Sequence, residues 1–177
     1  MLLCTPGILY ELTFLTFVLI PFMQISSQIA SHFRAVHFGG NWTSVNLKDT
    51  LDGVNWQQAT IKHDSFNTIA LLVFHMNYYV AAVTEVLEGR PLNAHDKFSF
   101  AMPEIYSEAD WQNLVHKTFK DAEHFAGLIE KLPDEKLGEV FSDVKYGTYY
   151  RNLHGIIEHC HYHLGQIVLI KKLASEE

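Results

Sequence analysis

Apolar residues recur along most of this chain at the three-to-four-residue spacing of helices, and the recurrence breaks at a few well-marked places. A first helix is predicted over residues 24–36, stopping ahead of Gly39-Gly40. Residues 41–62 are polar, carry Trp42, Trp56 and the turn-forming Leu51-Asp52-Gly53, and show no sustained period, so they read as an ordered crossover loop. Residues 63–88 lack Gly and Pro and end at Gly89-Arg90-Pro91; as one helix they would run about 39 Å. Ser107 followed by Asp110 resembles a capping box opening a third helix, with Trp111, Leu114, Val115, Phe119, Ala122, Phe125, Ala126 and Ile129 in register and a stop at Leu132-Pro133. The fourth helix covers 146–173 and closes on Lys171 and Lys172, which suit the negative end of its dipole. No strand pattern competes. The expectation is an all-α four-helix bundle with a long crossover between helices 1 and 2.

Residues 8–23, ILYELTFLTFVLIPFM, are apolar but broken by Glu11 and Pro21, and no Lys or Arg precedes Arg34. That fits neither a signal peptide nor a well-flanked membrane span. The domain is therefore taken as 23–177, with translation starting at Met23 and 1–22 a hydrophobic extension. The alternatives are membrane association through residues 8–23 or an extra helix packed on the body or a partner.

Composition narrows the function. With 13 Lys+Arg against 20 Asp+Glu the formal charge is −7, so the surface repels phosphate backbones and nucleic acid is not expected as a partner. The two cysteines, Cys4 and Cys160, form no CxxC, which excludes a disulfide framework and a Cys-rich zinc module and suits the cytoplasm. The unusual feature is eleven histidines.

His159 and His163 stand at i, i+4 on the fourth helix, about 40° apart around its axis, where two imidazoles can share a metal ion. Asn152, Gly155, Ile156, Tyr162, Gln166 and Ile170 share that face. His161, about 200° away, and His154, about 140° away, belong to other faces. A third ligand is expected from a facing helix, and His75 fits: its neighbours at helical spacing are Leu71, Leu72, Tyr78, Tyr79, Ala82 and Val86. The metalloprotease pattern HExxH is absent because Cys160 follows His159. Tyr79, Asn152, Tyr162 and Gln166 are candidates to support the ligands. Glu158 and Glu85 are read as pointing away, Cys160 as a small buried apolar residue, and Trp42, Trp56 and Trp111 as anchors of loops and core. Residues 134–136 read as a solvated loop, and His32, His37, His63, His95, His116 and His124 as surface residues.

The string His163-Leu164-Gly165-Gln166-Ile167 with His159 upstream, and an isolated His in the long second helix, resembles the DinB/YfiT-like family. Gly39-Gly40-Asn41-Trp42, Leu51-Asp52-Gly53-Val54, Trp111 and Leu132-Pro133-Asp134-Glu135 carry the resemblance across residues 24–173. It implies an up-down-down-up bundle, often a homodimer, in which His75, His159 and His163 bind a divalent metal, commonly zinc or nickel. The family's DNA damage-inducible name reflects gene induction and implies no DNA binding. Some relatives are transferases that hold a small thiol such as bacillithiol or mycothiol as a metal-bound thiolate; others are called metal-dependent hydrolases, with a metal-bound hydroxide as nucleophile. Three imidazoles leave a coordination position open, as catalytic zinc sites do. The expected function is thus a metal-dependent enzyme acting on a small molecule, thiol transferase first and hydrolase second, with a non-catalytic metal-stabilised binding protein as the third reading.

Overall fold

The computed structural model describes residues 24–174; the extension 1–22 and the segment 8–23 lie outside the described residues. Among these there are seven α-helices and no strand, only an isolated bridge between Val140 and Thr148. Four long helices, α1 (Ile25–Phe38), α4 (Ile69–Leu87), α6 (Glu108–Glu130) and α7 (Tyr149–Leu173), form the bundle, with α4 and α1 each packed against both α6 and α7. Helix α4 is long and apolar enough to pass for a membrane span, yet most of it is buried against its neighbours.

The long second helix starts later than its composition suggests. Residues 63–68 are not helical: 64–66 turn, with Asp64 at a positive φ of 46°, and Thr68 accepts the Leu71 N–H to cap α4. The 19 residues of α4 span about 28 Å. Likewise the fourth helix begins at Tyr149 rather than Tyr146, because 144–146 form a 3-10 turn, Gly147 takes a φ of +77°, and Thr148 caps the next turn. The crossover is not wholly irregular: Asn46 and Asn55 each cap a short helix, α2 (Leu47–Leu51) and α3 (Trp56–Thr60). Lys171 of α7 donates to the carbonyls of Thr50 and Asp52 at 2.7 and 2.9 Å, tying the crossover to the bundle.

Residues 134–136 are not merely solvated. Asp134 accepts the backbone N–H groups of Ile25 and Ser26, both at 2.9 Å, and these bonds hold its carboxyl below the usual range. It caps α1, whose own Gln24 supplies no side-chain cap. The tryptophans divide: Trp111 is wholly buried and donates to the Val54 carbonyl at 2.7 Å, whereas Trp42 is 99% exposed and anchors nothing in the described core.

His37 also departs from its surface reading. It is 1% exposed, lies tilted against the Phe33 ring at 4.3 Å between centroids, and donates through Nδ1 to the Phe33 carbonyl at 3.1 Å. Burial pushes its pKa from 6.5 down to about 4. The depressed value makes the unfolded chain the better proton binder below pH 6.5, so stability falls as pH drops through that window. Between pH 7.5 and 5 this one ring should cost about 2 kcal/mol. Urea unfolding at both pH values checks it: His37→Leu is expected to lose less stability on acidification than wild type, and an equal loss would contradict the assignment.

Candidate metal centre

Helices α4 and α7 meet at His75, and α7 presents His159 and His163 one turn apart toward it. The Nε2 atom of His159 lies 3.0 Å from Nε2 of His75 and 3.0 Å from Nε2 of His163, and all three ligand atoms fall within 4.8 Å of one another. Two nitrogens bound at 2.0–2.1 Å to one tetrahedral ion stand roughly 3.3 Å apart, so the cluster matches the scale of such a site. His75 and His163 are buried and His159 is half-buried.

The outer nitrogens fix what the inner ones carry. His75 Nδ1 is 2.9 Å from Ser99 Oγ, and the Ser99 hydroxyl is itself donated to the Asp96 carbonyl at 2.7 Å, so the serine oxygen accepts the ring N–H. His163 Nδ1 is 2.6 Å from the Gln166 Oε1, again an acceptor. Both rings are thereby held as Nδ1–H tautomers with a lone pair on Nε2. His159 Nδ1 is buried with no hydrogen-bond partner. A proton on His159 Nε2 satisfies one of the two facing lone pairs and leaves the other opposed; a cation satisfies all three nitrogens together. Burial lowers the pKa of each ring, His159 to about 4 with His163 and His75 adding to the effect. Neutral imidazole is the form a metal requires.

The short helix α5 (Asp96–Ser99) supplies much of the support. Phe100 stacks on His75 at 4.3 Å, and Tyr79, whose ring edges both His75 and His159, donates its hydroxyl to Asp96 Oδ1 at 2.9 Å. Sequence reasoning missed Ser99, Asp96 and Phe100 because nothing local marks them; Ser99 lies 24 residues from His75 and meets it only in the fold. Of the supporting residues named from the sequence, Tyr79, Gln166 and Tyr162 touch the rings. Asn152 sits further along α7, donating to the Tyr146 and Thr148 carbonyls at 3.0 and 2.8 Å. Tyr162 rests its ring against His163 but is 65% exposed.

A cleft of about 610 Å³ opens beside His75 and His159 between α4 and α7. Glu158 lines it, against the expectation from its helix direction, because the cleft is wider than one helical face; Glu85 instead pairs with Arg90 outside. Asp96 lines it as well. Cys160 is fully buried, its thiol pushed up to about 12, and His154 and His161 turn to Tyr150 and His32.

Fold and site together define an all-α bundle with a buried three-histidine group that could hold a metal. Comparisons with protein-family models, curated proteins and solved structures find no match.

Because Ser99 alone fixes the His75 tautomer, Ser99→Ala is expected to weaken divalent-metal affinity about 10- to 100-fold by calorimetric titration, with helix content unchanged. Unaltered affinity would remove Ser99 from the site.

Proposed function

We propose that this protein is a metal-dependent enzyme of the DinB/YfiT-like kind, binding one zinc or nickel ion through Nε2 of His75, His159 and His163 and acting on a small molecule in the adjoining cleft. The observation that carries this reading is the set of three converging Nε2 atoms, two with their lone pairs turned inward by Ser99 and Gln166. The cleft supports a substrate rather than a purely structural ion, since it reaches the rings and has the size of ligand pockets.

The family's up-down-down-up chain path is supported by four contacts. Asp134, just past α6, caps the start of α1, and Phe38 at the end of α1 packs on Phe119 in the middle of α6. Trp56 of α3, which leads toward α4, donates its backbone N–H to Glu108 at the start of α6, while Lys171 near the end of α7 reaches the residues that follow α1. A homodimer in the cytoplasm belongs to the same reading.

A divalent cation bound there would act as a Lewis acid, making a coordinated thiol or water more acidic and a coordinated carbonyl more electrophilic. Burial holds the three rings neutral, Ser99 and Gln166 orient His75 and His163, and Val83 and Ile156 give the adjoining cleft an apolar lining. Thiol transfer is the first reading. Hydrolysis gains from Asp96 and Glu158, two carboxylates on the cleft that can take a proton from a nucleophile.

Elemental analysis of tag-free protein from cells supplied with zinc and nickel tests the proposal. Near one equivalent of metal is expected in wild type and none in His159→Ala; absence from both overturns it. Conjugation assays with bacillithiol, glutathione and coenzyme A, run beside ester hydrolysis, then separate the two chemistries.

A further inference from the structure

Arg151, Gly155 and His159 follow one another at i, i+4 and i+8 on α7 and all line the cleft, so the backbone positions of Arg151 and His159 stand about 12 Å apart along the helix. Arg151 donates through Nη1 to the Tyr146 carbonyl at 2.9 Å, and among the described residues no carboxylate pairs with it. The carboxylates of the cleft sit at its other end: Asp96 on Tyr79 beside the rings, and Glu158 next to His159 in the chain. The cleft is therefore polarised along its length, positive at Arg151 and negative near the histidines. Val83, Leu92, Phe141 and Ile156 give the cleft an apolar lining, beside the polar Asn152 and Tyr146. Gly155 lines the cleft at the α7 position midway between Arg151 and His159, and a Cβ built there meets no atom within 4 Å.

We propose that the cleft binds an amphipathic organic monoanion, its carboxylate on Arg151 and its apolar body running over Gly155 toward the three histidines. This rests on the reading of those histidines as the reacting centre. The orientation follows from charge: Asp96 and Glu158 repel an anionic head at the histidine end, while an unpaired guanidinium accepts it at the other in fork geometry. A neutral apolar ligand fills the walls but leaves the guanidinium unused, and a cationic one meets Arg151 as a like charge.

The test is calorimetric titration of the full chain, zinc-loaded and EDTA-treated, with decanoate, decanesulfonate and decanamide. Both anions are expected to bind at least about tenfold more tightly than the amide, with or without zinc. Arg151→Gln should erase that preference, Arg151→Lys should retain part of it, and zinc stoichiometry should be the same in both. Gly155→Leu, which places a side chain in open cleft space, should weaken all three probes while zinc still binds. Equal affinity for anion and amide, a preference that survives Arg151→Gln, or undiminished binding in Gly155→Leu would each overturn the proposal. Because the preference is read without zinc and zinc stoichiometry is read separately, loss of one result leaves the other standing, which distinguishes failure of the anion site from failure of the metal site.

Discussion

Zinc added to the metal-free protein is expected to raise its thermal unfolding midpoint by roughly 8–16 °C at a thousandfold excess over Kd, and His159→Ala to erase the shift. The expectation comes from the nitrogens themselves. Without a cation, His75 and His163 both aim Nε2 lone pairs at His159 Nε2, which can offer at most one proton, so the metal-free cluster is a poorly satisfied polar group inside a bundle. Removing His159 should consequently cost the metal-free protein little, since it also removes the unpartnered Nδ1, while costing the zinc-loaded protein the whole stabilisation. A purely structural histidine behaves the other way: its replacement lowers the midpoint equally with and without zinc. Differential scanning at matched zinc and EDTA concentrations reads the two cases apart.

Trp111→Ala is expected to destabilise the fold by about 3–5 kcal/mol in urea unfolding, enough to leave a marginal bundle largely unfolded. The indole is fully buried among the core residues of α6, and its Nε1–H closes on the Val54 carbonyl of the crossover. Trp111→Phe separates the two contributions. It keeps most of the buried area but leaves Val54 without its donor, and should cost about 1–3 kcal/mol. If the phenylalanine variant matches wild type, the bond to Val54 contributes nothing and packing alone holds the crossover down.

The three-histidine group was legible because two rules act together. Spacing of four residues puts His159 and His163 side by side whatever surrounds them, and the apolar neighbours of His75 turn it into the core. The four long helices were legible for the same reason. Their ends were less so: the 63–68 stretch contains Asp64, Ser65, Asn67 and Thr68, residues that favour turns and caps, and their local bonds win over the helix propensity of the apolar run behind them. His37 lies four residues after Phe33, on the buried face of α1, so its burial was written in the period and overlooked. Asp96, Ser99 and Phe100 were not legible at all. They reach the site through the path of the segment between α4 and α6, which no local pattern encodes, and Glu158 enters the cleft through a width that a helical wheel does not contain.

X-ray absorption at the zinc edge, on protein stripped and reloaded with one equivalent, bears most directly on whether the three rings share one ion. Three imidazole nitrogens at about 2.0–2.1 Å are expected in wild type, and no retained zinc in His159→Ala. A zinc shell without imidazole scattering, or no zinc retained by the wild-type chain, would contradict a shared site at His75, His159 and His163.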